Sequence, residues 1–63
     1  MNFNINLKRI RKLNGYTQES FAKELNVPYK TYLNWEQGVN EPNFKQLEEI
    51  KLKLKCTYDE LLN

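Results

Sequence analysis

Apolar residues recur along this chain every three or four positions, and short polar breaks cut the pattern into five segments. That repeat belongs to helices buried on one face; the strict alternation of a half-buried strand is missing. The breaks fall at Asn14-Gly15, Val27-Pro28, Gly38 through Pro42, and Cys56-Thr57. Gly, Pro and Asn are the residues that end helices and turn the chain.

The first segment is expected from about Ile5 to Leu13. Leu7, Ile10 and Leu13 form its inward stripe, with Lys8, Arg9, Arg11 and Lys12 on the other faces. The second runs from about Gln18 to Leu25, capped by Thr17, with Glu19 where the helix dipole favours negative charge. It buries Phe21, Ala22 and Leu25. Only Asn26 and Val27 separate it from Pro28, so the next helix must turn sharply.

The third segment runs from about Pro28 to Gln37. Proline suits the first helical position, where its missing N–H would be unpaired anyway. Tyr32 and Trp35, three apart, face the core. Tyr29, Lys30, Leu33 and Asn34 fall on the opposite side, and Gly38 stops the helix. The fourth segment, about Phe44 to Leu54, is capped by Asn43 with Gln46 reaching back; its stripe is Phe44, Leu47, Ile50 and Leu54. Thr57 and Glu60 make a capping box for the fifth, Tyr58 to Leu62.

Length changes this picture by limiting it. Sixty-three residues make one domain, 1–63, all α-helical. A chain of this size buries only about 60% of the surface its unfolded form exposes. No repeat, linker or low-complexity tract is visible.

Several chemistries drop out. There is no His and only one Cys, so no disulfide framework, zinc constellation or metal site is expected. Cys56 reads as a small buried hydrophobe of a reducing compartment. No apolar run approaches the roughly 20 residues that span a bilayer. The run Met1-Asn2-Phe3-Asn4 lacks the order of a signal peptide. With no base beside a nucleophile, no catalytic residues, cofactor or small-molecule effector are expected, and the chain does not read as an enzyme.

Charge is more informative when split. Residues 1–35 carry Lys8, Arg9, Arg11, Lys12, Lys23 and Lys30 against Glu19 and Glu24, a net +4. Residues 36–63 carry four lysines against six carboxylates, a net −2. The first half is therefore the anion-facing candidate, with a solvated basic helix as the plainer reading. Two helices joined by a tight turn, the second with a free polar face, form a helix-turn-helix pattern at about 17–37.

Particular residues narrow this pattern. Asn14-Gly15-Tyr16-Thr17-Gln18-Glu19, followed by Phe21-Ala22-Lys23-Glu24-Leu25, resembles the start of the helix-turn-helix in the Cro/C1 phage-repressor (XRE) family. Trp35-Glu36-Gln37-Gly38 with Pro42 is similar to that family's W-E-N-G…P ending, and Tyr58-Asp59-Glu60-Leu61-Leu62 to its fifth helix. The likeness covers roughly Leu7 to Leu62.

The resemblance implies a five-helix, lambda-repressor-like fold in which helix two crosses the DNA backbone and helix three reads the major groove. It implies base contacts from Tyr29, Lys30, Leu33 and Asn34, and phosphate contacts from Arg11, Thr17, Gln18 and Gln37. It implies an ion pair between Arg11 and Glu36. Lys30 can donate to guanine and Asn34 can pair with adenine. Leu33 suits a thymine methyl or a partner protein, and Tyr29 a phosphate or a base edge. The implied partner is a palindromic double-stranded operator bound by a homodimer, in the cytoplasm of a bacterial cell or phage-infected host.

Three positions depart from the family pattern. Pro28 replaces the usual Ser or Thr cap, Lys51 a small apolar residue, and Leu52 a polar one. Leu52, with Tyr58 and Leu62, is the candidate dimer surface. Ile5 and Phe3 are alternative contributors. The expected function is a transcription regulator, a Cro/C1-like repressor of phage or plasmid type. An antitoxin or restriction–modification controller fits nearly as well. The competing reading is a protein-interaction module that reuses the fold without reading DNA.

Overall fold

A computed structural model describes residues 2–63; Met1, which opens both the expected domain and the amino-terminal run, lies outside the described residues. Five α-helices follow one another, α1 (Phe3–Leu13), α2 (Gln18–Glu24), α3 (Tyr29–Gln37), α4 (Phe44–Leu54) and α5 (Tyr58–Leu62), with no strand among the described residues. They pack into a body of 25 × 23 × 20 Å, with α3 against α1 and α2, and α1 against α5.

Three helix starts are set by their capping residues. The Thr17 hydroxyl accepts the Ser20 amide at 3.0 Å, while the Ser20 hydroxyl oxygen accepts the Thr17 amide at 2.9 Å. Asn43 with Gln46 and Thr57 with Glu60 make the same reciprocal pairs, so N–H groups without a partner in the helix ladder are satisfied. The start of α3 differs. Pro28 is the residue before the helix, not its first member, and makes no side-chain cap.

Helix α1 begins two residues earlier than the sequence suggests, at Phe3, because the chain there has inward work: Phe3 and Asn6 are both buried. The Asn6 amide donates to the Leu61 carbonyl at 3.1 Å, joining α1 to α5 across 55 residues. Gly38 ends α3 in the left-handed region at φ 77°, where a Cβ would meet the Asn4 side chain at 3.3 Å. Asn26 and Lys55 adopt the same region without being glycine, at φ 58° and 53°. Asparagine tolerates it by bonding locally.

The core takes Phe3, Leu7 and Ile10 from α1, Phe21, Ala22 and Leu25 from α2 and its end, Tyr32 and Trp35 from α3, and Ile50, Leu54 and Leu61 from the last two helices. Its aromatics meet edge-on: Phe21 and Tyr32 centroids lie 5.6 Å apart at 86°, Tyr32 and Trp35 5.9 Å at 69°. Such pairs add about 0.5–1.5 kcal/mol beyond the area they bury.

Two expected core residues lie outside it. Leu13 is 75% exposed. It is the last residue of α1, at the edge of the stripe through Phe3, Leu7 and Ile10, where the packed helices leave it uncovered. Phe44, 73% exposed, sits on the first turn of α4 and stacks on Tyr58 instead, with centroids 6.3 Å apart. Leu47 and Cys56 are half-buried against the core. Burial, and then the neighbouring Glu60 charge, push the Cys56 thiol up, so it is less reactive than a free one.

Candidate nucleic-acid interface

Helix α3 divides along its length. Tyr32, Trp35 and Glu36 are buried, whereas Tyr29, Lys30 and Gln37 are exposed. Leu33 and Asn34 lie between, half-buried. The flank assigned to base edges is thus open at its amino end and partly covered further along. Thr17 is exposed at the start of α2.

The buried side of α3 ends in a polar cluster. Arg11 is 5% exposed and Glu36 8%. Arg11 Nε donates to Glu36 Oε2 at 2.7 Å and Nη2 to Oε1 at 3.3 Å, a two-pronged pair linking α1 to α3. Arg11 Nη1 donates to the Tyr16 carbonyl at 2.8 Å. Of the two roles the resemblance gives Arg11, the ion pair occupies its guanidinium in this structure.

Two further donors converge on the same carboxylate. Gln18 Nε2 donates to Glu36 Oε1 at 3.0 Å, and the Tyr32 hydroxyl donates to Glu36 Oε2. Burial by itself would raise the Glu36 carboxyl. Hydrogen bonds from Arg11, Tyr32 and Gln18 outweigh it and hold the group below its ordinary value. Burial, then the hydrogen bond to Glu36, pushes the Tyr32 phenol far up, so it stays a neutral donor. Among the described residues no buried side-chain nitrogen or oxygen lacks a partner.

The sequence resemblance points Gln18 to a phosphate and the helix period points Tyr32 to the core; in the structure both also meet Glu36. Tyr32 was findable, since it stands four residues before Glu36 on one helix face. Gln18 was not, because its bond depends on how α2 sits against α3.

The candidate dimer residues are unequally open. Leu52 is 64% exposed, while Tyr58 and Leu62 are half-buried. Lys51 is half-buried, its ammonium 5.2 Å from the Tyr58 ring centroid, so a cation covers an aromatic face where the family pattern has a small apolar side chain. Leu62 lines a mostly apolar cleft with Phe3, Glu41, Pro42 and Leu47. No metal-binding group of side chains occurs among the described residues, and no helix there is long and apolar enough to cross a membrane.

Comparison with known proteins fits this geometry. The family model described as "Helix-turn-helix" matches residues 7–61, and the chain belongs to that family, in its Cro/C1-type form. The class is the all-α, DNA-binding helix-turn-helix with the lambda-repressor-like fold. The uncharacterized HTH-type transcriptional regulator YqaE of Bacillus subtilis (strain 168) is 37% identical over 60 residues, covering 95% of this chain and 52% of that protein. The chain therefore spans about half the length of that relative. No solved structure matches it significantly.

Proposed function

We propose that this chain binds double-stranded DNA sequence-specifically and regulates transcription as a repressor, with α3 in the major groove. The observation that carries the reading is the division of α3: its inner side is anchored by Tyr32, Trp35 and Glu36, while Tyr29 and Lys30 stand exposed beside Asn34 and Leu33. Lys30 donates to guanine O6 and N7, Asn34 pairs with adenine, and Leu33 meets a thymine methyl. Thr17 and Gln37 reach phosphates on either side. The operator is palindromic and read by a homodimer joined through the face bearing Leu52 and Tyr58. The setting is cytoplasmic, and repression follows from occupying a promoter that polymerase needs.

Selection of bound duplexes from a random pool tests this. A palindromic consensus supports reading, specificity and symmetry together; no enrichment at low salt sinks the proposal, because phosphate contacts are strongest there. The protein-interaction alternative has one observation in its favour: Leu33 offers an apolar contact on the outer flank. It predicts no duplex binding at any salt.

A further inference from the structure

We infer that Gln18 serves DNA binding as a positioning residue, bolting α2 to α3 through Glu36. The inference rests on the DNA-reading proposal above and concerns how its reading helix is aimed.

The connectivity makes the point first. Helices α2 and α3 are joined at one end by the short turn through Asn26, Val27 and Pro28. Gln18 is the first residue of α2 and Glu36 the last but one of α3, so both lie at the ends of their helices remote from that turn. The 3.0 Å bond between them closes the open end of the helix pair. Phe21 against Tyr32 already packs the two helices together between their ends, and the added directional bond at the open end fixes the angle between them. That angle decides where Tyr29, Lys30, Leu33 and Asn34 point.

The chemistry of the bond supports the same role. An ionised carboxylate only accepts, so the Gln18 side chain must present its NH2 group and not its carbonyl oxygen to Glu36. A hydrogen bond to a charged acceptor is roughly twice as strong as a neutral one, and this one is part-buried. Glu36 is also held by Arg11 from α1 and by Tyr32 from within α3, so Gln18 is tied to a fixed point and not to a mobile side chain. One of the two Gln18 N–H groups is committed to this bond.

Two measurements on the full chain test this. The first is a carbon-13 NMR titration of the Glu36 carboxyl in the free protein, comparing wild type with Gln18→Ala. Loss of a hydrogen bond to the ionised form moves the titration upward; an unmoved titration overturns the inference. The second is affinity for the selected duplex, with Gln18→Ala made in wild type and in an Arg11→Met/Glu36→Met background. Replacing a buried ion pair by apolar residues of similar volume often leaves the fold intact. We expect Gln18→Ala to cost about tenfold in wild type, the scale of one hydrogen bond to a charged group. In the apolar background it costs nothing further. Equal losses in both backgrounds overturn the inference while leaving DNA reading in place. A wild-type chain that binds no duplex overturns the DNA proposal itself. If the apolar background does not fold, the titration alone decides.

Discussion

The first three helices share one apolar core with the last two but add to it a different kind of polar contact. In α1–α3 a buried carboxylate takes hydrogen bonds from three helices, so geometry is set by directional polar bonds at named distances. In α4–α5 the contacts are apolar packing of Ile50, Leu54 and Leu61, end caps, and single amide bonds from Asn14 and Asn6 to the Leu54 and Leu61 carbonyls, with no charged cluster, and large hydrophobes such as Phe44 and Leu52 are left outside. Apolar contact brings elements close but is non-directional. Hydrogen bonds to a charged group also fix angle. The half that carries the proposed reading helix also carries the charged hydrogen-bond cluster and the net positive charge.

The largest test removes the centre of the first half. Glu36→Ala leaves Arg11 buried and unpaired, which costs about 3–5 kcal/mol. Whole domains of this size have roughly 3–9 kcal/mol of stability in total, so urea unfolding should find this variant barely folded. A loss under about 1 kcal/mol would mean the cluster does not hold the helices. Next in size, Asn34→Ala should cost about 1–3 kcal/mol on the selected duplex and relax preference at one base. Equal losses on every sequence would show that it reads none.

Acid sharpens the contrast. The folded Glu36 carboxyl lies below its ordinary value of 4.5. Its contribution is therefore complete above that pH and is lost as pH falls through the lower folded value. Stability of the wild type should fall over that acid range and that of Glu36→Gln less steeply. Parallel curves would contradict the assignment. The smallest effect on folding belongs to the second half: Leu52→Lys changes an exposed side chain, so stability should move by no more than about 0.5 kcal/mol. Self-association, followed by sedimentation, should weaken if that face joins two copies; unchanged association removes Leu52 from the dimer surface.

What could be read from the chain beforehand divides along the same line. Caps at Thr17, Asn43 and Thr57 and the stripes through Leu7 and Ile10, Phe21 and Leu25, and Tyr32 and Trp35 are local patterns, and they agree with the structure. Leu13 and Phe44 mislead because at helix ends a residue's neighbours lie outside the helix, so periodicity no longer says what covers it. The polar ties Asn6 to Leu61, Asn14 to Leu54 and Gln18 to Glu36 span 55, 40 and 18 residues and leave no periodic trace. Of the proposed interface, the open positions Tyr29, Lys30 and Gln37 were legible. The internal commitments of Gln18 and Arg11 required the packed arrangement.

Pro28 gives α3 an unequal pair of ends. No side chain caps its opening turn, so the first N–H groups there are left to solvent, whereas Thr17, Asn43 and Thr57 cap the starts of α2, α4 and α5. On the proposed reading, Tyr29 and Lys30 sit at this uncapped end, while Asn34 lies a turn or more nearer the end that Glu36 ties to α1 and α2. Tolerance of a changed base pair should accordingly diminish from the beginning of the helix toward its close.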